Sequence, residues 1–205
     1  MDSASPTARS PIRQIPPTAI VEGWEVSSFR SSARLRLSDL TPYSKTLVHR
    51  ETRELADRLP ARLGDVRRTN SELIAAIGPT EWMIIGPPRR AGARFESIGE
   101  ADKGSIDATY LYALVCLIGD DARRVLEKIC AIDLSDSVMS DDSAVRSSIA
   151  QVHATIIRRD VAQDRSYLLL CDRSYGQYLF DCLMDAGSEF GISVDGYANV
   201  TNGAT

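Results

Sequence analysis

The sequence has no C-x-x-C pair, no G-x-G-x-x-G turn and no G-x-S-x-G elbow. No apolar run approaches the roughly 20 residues that a membrane helix needs. Each absence removes a class: a zinc ribbon or thioredoxin-type redox site, a dinucleotide fingerprint, a hydrolase nucleophile and a membrane span. The N-terminus lacks the charged-then-apolar order of a signal peptide, so the chain is expected in the cytoplasm. Histidine is scarce, with only His49 and His153. Cys116, Cys130, Cys171 and Cys182 each lie inside an apolar strand or helix pattern and read as small buried hydrophobes carrying reduced thiols. The expected set of metal ligands is therefore none. A net charge of -4 offers no general attraction to phosphate backbones, which argues against a nucleic-acid partner.

What is present is ample core: 43% of the 205 residues are hydrophobic, enough for one large domain or two small ones. Residues 105–192 carry most of the information. Residues 110–118 are almost wholly apolar, as a strand covered on both faces would be. They run through Gly119 into a helix whose Ala122, Val125, Leu126, Ile129 and Cys130 form one apolar stripe. Asp120 or Asp121 stands where a helix cap belongs, which accounts for both aspartates without chemistry.

In chain order, residues 1–20 hold four of the nine prolines and read as a mobile arm. Residues 33–40 and 43–49 alternate like strands about a turn at 39–42. Residues 51–63 read as a short helix that Pro60 kinks or ends. Residues 72–77 and 81–85 form two strands joined through Gly78-Pro-Thr80, with Trp82 anchoring the local core. The run 86–92 breaks the pattern, and 91–103 is a weak helical candidate beside an internal boundary. After a polar loop at 135–142, residues 145–159 read as one long or bent strand, which a turn at 160–164 returns into 167–171. Ser174 and Gln177 match a capping box before a helix to about residue 189, with Tyr175, Leu179, Cys182, Leu183 and Ala186 buried.

These elements predict an α+β fold of two similar strand-helix-strand-strand-helix units, mostly antiparallel sheets with helices packed on one side. The units are about 33–103 and 104–192, within a single domain at 21–194 that is followed by a frayed tail at 195–205.

No constellation stands out as catalytic. The Gly86-Pro-Pro-Arg-Arg-Ala-Gly92 run lacks the Lys-Ser/Thr of a phosphate loop, and its prolines remove donors. It reads as a turn with arginines suited to a subunit contact, as does the N-terminal arm. Asp133, Asp141, Asp142, Asp160 and Asp164 sit beside turns, where aspartate bonds to backbone, and only Asp107 does not. His153 reads as core or interface packing. Catalytic and cofactor-binding residues are both expected to be none.

Five segments resemble the gamma subunit of bacterial heterotetrameric sarcosine oxidase, a relative of the glycine-cleavage T-protein fold. They are residues 77–85 (IGPTEWMII), 118–126 (IGDDARRVL), 130–134 (CAIDL), 173–179 (RSYGQYL) and 186–191 (AGSEFG). The resemblance implies a small subunit, without catalytic residues, of a complex that oxidises N-methyl amines such as sarcosine and passes the one-carbon unit to tetrahydrofolate. Its implied partners are the alpha, beta and delta subunits, which would hold FAD, FMN, NAD, tetrahydrofolate and zinc. In the T-protein branch a strand after the central helix carries an aspartate that contacts folate; here residues 152–157 (VHATII) put His153 or a neighbour near that place, with no carboxylate. Two alternatives stand beside this one: a free-standing folate-dependent methyl or aminomethyl transferase, for whose further domains 205 residues leave little room, and a scaffolding module of another N-methyl amine dehydrogenase.

Overall fold

The computed structural model describes residues 7–49, 57–69, 71–89 and 104–197. In chain order the described elements are β1 (Ala8–Arg9), β2 (Thr18–Val21), β3 (Trp24–Ser27), β4 (Arg36–Asp39), β5 (Tyr43–His49), β6 (Val66–Arg68), β7 (Leu73–Gly78), β8 (Glu81–Pro88), β9 (Ser105–Asp107), β10 (Tyr112–Ile118), α1 (Ala122–Ile129), β11 (Ser143–Ile149), β12 (Val152–Arg158), β13 (Ser166–Asp172), α2 (Gly176–Gly187) and β14 (Ser193–Asp195). The fold is α+β and mostly antiparallel. No helix among the described residues is long and apolar enough to cross a membrane.

Three sheets form. A six-stranded sheet runs β11-β12-β13-β10-β4-β14, a five-stranded sheet runs β6-β7-β8-β5-β9, and β1-β3-β2 make a small third one. The apolar runs predicted for residues 110–118 and 167–171 become β10 and β13, which pair antiparallel at the centre of the six-stranded sheet. Alternate side chains of these strands point to opposite faces, so both faces are apolar and both are covered. On one face Val115, Leu117, Tyr167 and Leu169 pack against Val125 and Leu126 of α1 and Leu179 and Leu183 of α2. On the other, Leu114, Cys116, Leu168 and Leu170 meet Leu73, Ala75, Met83 and Ile85 of the five-stranded sheet. Helices, sheet and sheet thus stack as three layers, with both helices on one side. Each fully buried Leu or Ile here contributes about 1.5–3 kcal/mol relative to exposure. The back of the five-stranded sheet carries a smaller cluster in which Leu59 and Trp82 pack on Val48 and Ile74. Trp82 anchors it, its Nε1 donating to the Pro60 carbonyl at 2.9 Å.

The structure departs from the sequence expectations at several points. Of the arm at 1–20, residues 1–6 lie outside the described residues, and the rest is built into the fold. Ile12 is 2% exposed in the helix-side core, and the Gln14 side chain bonds both Asp39 and the Ser27 backbone N–H. One apolar side chain with a deep site, plus hydrogen bonds for its neighbours, outweighs a proline-rich composition. At the other end Asp195 is buried and accepts from Ser31 N, and Tyr197 N donates to the Ser27 carbonyl, so a frayed tail is incorrect up to residue 197. Of the expected helix at 51–63, residues 57–63 form turns and the earlier ones lie outside the described residues, as does the weak helix at 91–103.

The long strand expected over 145–159 is two strands, β11 and β12, joined by Ala150 and Gln151, both at positive φ (48° and 67°). That is the geometry a two-residue hairpin with matched twist demands, reached here without the usual Asn or Gly. Neither helix is capped as expected. Asp121 precedes α1 without a side-chain cap bond and accepts instead from Arg124 Nη1 at 2.8 Å. α2 starts after Tyr175 without a side-chain cap bond; Asp172 caps the 3₁₀ turn Arg173–Tyr175 that precedes it, accepting from Ser174 N, while Gln177 Oε1 accepts from Arg13 N.

One lysine is wholly interior. On β5 the face bearing Tyr43 and Leu47 turns toward the six-stranded sheet, and Lys45 lies between them at 0% exposure. Its Nζ donates to the carbonyls of Thr41 and Tyr43 at 2.7 and 2.8 Å. Burial pulls its pKa down to about 7, with Asp39 opposing.

Candidate functional site

The two facing sheets diverge at one end. Along the inner face of the six-stranded sheet the alternation that buries Leu114, Ile157, Leu168 and Ala144 continues outward into Tyr112, Thr155, Asp172, Arg146 and Ser148. Register brings these together: Tyr112 pairs with Asp172, Thr155 with Leu170, and Ser148 with His153. They enclose a cavity of about 570 Å³, with Ile77 and Met83 of the five-stranded sheet opposite. That size lies in the roughly 300–1,000 Å³ range of small-molecule sites, and an apolar floor with a few convergent polar groups is their usual composition.

The polar groups are fixed unequally. Arg146 Nη1 donates to Glu81 Oε2 at 2.8 Å, bridging the two sheets at the rim, and His49 Nδ1 lies 3.4 Å from the other oxygen of Glu81. Asp172 accepts from both Ser174 Oγ (2.6 Å) and Ser174 N (2.9 Å), and these bonds hold its carboxyl below the usual aspartate range. Among the described residues it is the one carboxylate lining the cavity, and its bonds to Ser174 occupy it. Cys171 borders the cavity, but its side chain belongs to the helix-side core, where burial pushes the thiol up to about 12 and keeps it protonated at neutral pH. Such a thiol is a poor nucleophile, since the thiolate is the reactive form.

His153 was expected in a core or interface; it is exposed on the cavity wall, so a core role is incorrect. Of the six aspartates, Asp141, Asp142 and Asp160 stand together around Arg68, away from the cavity lining, and the others are apart. Asp107 accepts from Thr109 N and Asp133 from Ser135 N, Asp141 accepts from Asp142 N and Asp160 N, and Asp164 pairs with Arg36 at 3.7 Å. Asp142 accepts from Arg68 Nε, and Asp160 from Ser166 N. The four cysteines are free thiols; three are buried, and Cys182 is only half-buried because it sits on the flank of α2. Among the described residues no group of three or more His, Cys, Asp or Glu could hold a metal ion. Sequence reasoning missed Tyr112, Arg146 and Thr155 as lining residues. Their signal was faint: polar side chains at alternate positions of strands otherwise apolar on that face.

The GCVT N-terminal domain family matches residues 93–202, more than half of the chain. This chain belongs to that family. No curated protein matches the sequence. Among solved structures, the GCVT N-terminal domain seen here resembles a chain of the heterotetrameric sarcosine oxidase from Corynebacterium sp. U-96, solved with pyrrole 2-carboxylate. The TM-score is 0.67 at 20% identity, covering 80% of this chain and 90% of that one. It also resembles the glycine cleavage system aminomethyltransferase T from Bartonella henselae, with a TM-score of 0.67 at 13% identity, covering 87% of this chain. The chain spans about half of that transferase, 55% of its length. At these identities the likeness establishes the fold, and function has to be argued from the site.

Proposed function

We propose that this GCVT-family chain is a non-catalytic gamma subunit of a flavin-dependent, heterotetrameric sarcosine oxidase-type complex. That complex oxidatively demethylates N-methyl amines and transfers the one-carbon unit to tetrahydrofolate. The observation that supports the reading is the fold shared with a sarcosine oxidase chain over 90% of that chain, together with the five segments that resemble the gamma subunit. On this reading alpha, beta and delta subunits hold FAD, FMN, NAD, tetrahydrofolate and zinc, and the assembly works in the cytoplasm. On this reading the described residues, from 7 to 197, act as one domain. A structural role fits the cavity, whose carboxylate is engaged by Ser174. Leu111, Tyr175 and Tyr178, each about half exposed at 54%, 52% and 51%, give a partner apolar surface to cover.

Co-expression with candidate flavin and folate subunits tests the assignment. The chain should co-purify with them at one copy per complex, and alone it should self-associate in sedimentation. A monodisperse, stable monomer that co-purifies with none of them overturns the reading.

A second reading, a free-standing folate-dependent transferase, draws on the 570 Å³ cavity itself. The two separate on tetrahydrofolate binding by the chain alone, which only the second requires.

A further inference from the structure

The two large sheets are stitched together where residues 64–66 pass between β7 and β11. Gly64 N donates to the Ala76 carbonyl at 2.9 Å on one side; on the other, Ala144 N donates to the Gly64 carbonyl at 2.7 Å and Val66 N to the Asp142 carbonyl at 3.1 Å. This line runs antiparallel to β11, with Asp65 opposite Ser143, and the chain leaves it at Leu63, which is 65% exposed. At the far end of β11, Cys130 pairs with Ile149, and Ala150 N donates to the Ile129 carbonyl at 2.8 Å. Between these two closures the outer edge of β11 is open.

Register decides which groups stand in the opening. The two-residue turn at Ala150 and Gln151 makes Ile149 and Val152 a hydrogen-bonded pair, and bonded pairs then recur at Ser147 and Val145. Arg146 and Ser148 fall between them, so their N–H and C=O groups point away from β12. Ala144, two residues earlier, shows the same phase by donating outward to Gly64. Among the described residues, none of the four backbone groups of Arg146 and Ser148 has a partner on that side. Arg146, Ser147 and Ser148 all line the 570 Å³ cavity, which therefore lies along the open edge. Its apolar wall is Ile77, Met83 and Leu170, and the Arg146 charge is already answered by Glu81 at 2.8 Å.

The complement of this edge is another backbone. A residue opposite Arg146 and one opposite Ser148 would each exchange both hydrogen bonds, which answers all four groups at once. Directly opposed residues of an antiparallel pair share a face. Those two residues, spaced i and i+2, therefore turn their side chains as Arg146 and Ser148 do, into the cavity and onto its apolar wall.

We propose that the open edge of β11 takes a short extended segment of a partner chain, antiparallel to it and in the line vacated at Leu63, with two uncharged apolar side chains at i and i+2 seated in the cavity. The inference rests on the subunit reading for what the partner is. Its test uses a synthetic peptide and this chain alone, so failure to assemble and failure of the edge are separate outcomes.

The probe is the acetylated, amidated pentapeptide SVSVS, read by saturation-transfer NMR on the peptide signals with the full-length chain, a readout that self-association does not obscure. Transfer should saturate with peptide concentration and be stronger at the valine methyl groups than at the serine methylenes. N-methylation of both valines, which removes the donors facing β11, should weaken binding about tenfold or more. N-methylation of the central serine, whose donor faces away, should leave affinity within about threefold, less than the loss of one net hydrogen bond. Ser148→Pro removes an outward N–H that makes no ladder bond, a position where an edge strand tolerates proline, and should also weaken binding about tenfold. The two methylated peptides decide the matter if that variant does not fold. Absence of saturable transfer overturns the proposal. So does an equal effect of the two methylation patterns, or unchanged affinity in a folded Ser148→Pro chain.

Discussion

Trp24 stacks on Tyr110, their ring centroids 5.1 Å apart and their planes 16° from parallel. Trp24 is fully buried, Tyr110 is 46% exposed, and the Arg173 guanidinium lies 5.9 Å from the indole. The pair fastens the small N-terminal sheet to the turn before β10. Trp24→Ala is expected to cost about 3–5 kcal/mol in denaturant unfolding, the range for emptying a buried aromatic site. A loss under about 1 kcal/mol would show the N-terminal sheet to be an appendage.

Lys45 makes stability depend on pH. Its folded pKa of about 7 lies below the 10.5 of an unfolded lysine, so between those values the unfolded chain binds the extra proton. Stability therefore rises with pH through that window and is lost as pH falls toward 7. The rise is on the order of 2 kcal/mol from pH 7 to pH 9. Above pH 9 burial of Cys116, Cys171, Tyr167 and Tyr197 works in the opposite direction, because ionising them favours the unfolded chain. Lys45→Met should be more stable than the parent at pH 7 and lose the climb toward pH 9. Parallel urea curves for both proteins at the two pH values decide it.

Gly119 has φ +136°, and a Cβ there would lie 2.1 Å from the Arg34 carbonyl oxygen. Gly119→Ala must move backbone at the junction of β10 and α1, and a loss of about 3 kcal/mol or more is expected. Near-neutral thermal unfolding of that variant would contradict this packing.

The proposed subunit role makes a kinetic prediction. His153→Ala, Asp107→Asn and Cys116→Ala should alter stability or assembly while leaving turnover per assembled complex within about twofold of the parent. Steady-state rates are read with flavin content measured, so that lost assembly is not mistaken for lost chemistry. A fall of about a hundredfold at full flavin occupancy, the scale of losing a general acid or base, would assign chemistry to this chain.

The strands were readable where one residue in two faced the core. β5 matches its sequence-predicted limits, and the hairpin that joins β12 to β13 lies where the Asp-rich turn put it. The hairpin before it was hidden because Ala150 and Gln151 carry no turn chemistry, so the apolar run looked continuous. Ile12 was hidden for another reason: a single anchor among prolines has no period. The cavity depends on the register of four strands that are distant in the chain, and no local window contains Tyr112, Arg146, Thr155 and Asp172 together. Asp172 falls one residue past the strand expected at 167–171, and its cap bond to Ser174 N belongs to the 3₁₀ turn before α2.

β4 lies between β10 and β14, pairing Leu37 with Leu117 on one side and with Val194 on the other. β9 meanwhile follows the internal boundary at 103/104 yet pairs with β5 of the earlier half. The halves have exchanged strands, which sets a timetable for synthesis. Residues 36–39 gain one partner when Tyr112–Ile118 is made, but their other edge stays open until the ribosome has delivered Ser193–Asp195, a delay on the order of ten seconds at usual elongation rates. Through that interval an open strand edge is exposed in the growing chain, and a chaperone or a partner's sheet edge has time to meet it before β14 closes the sheet.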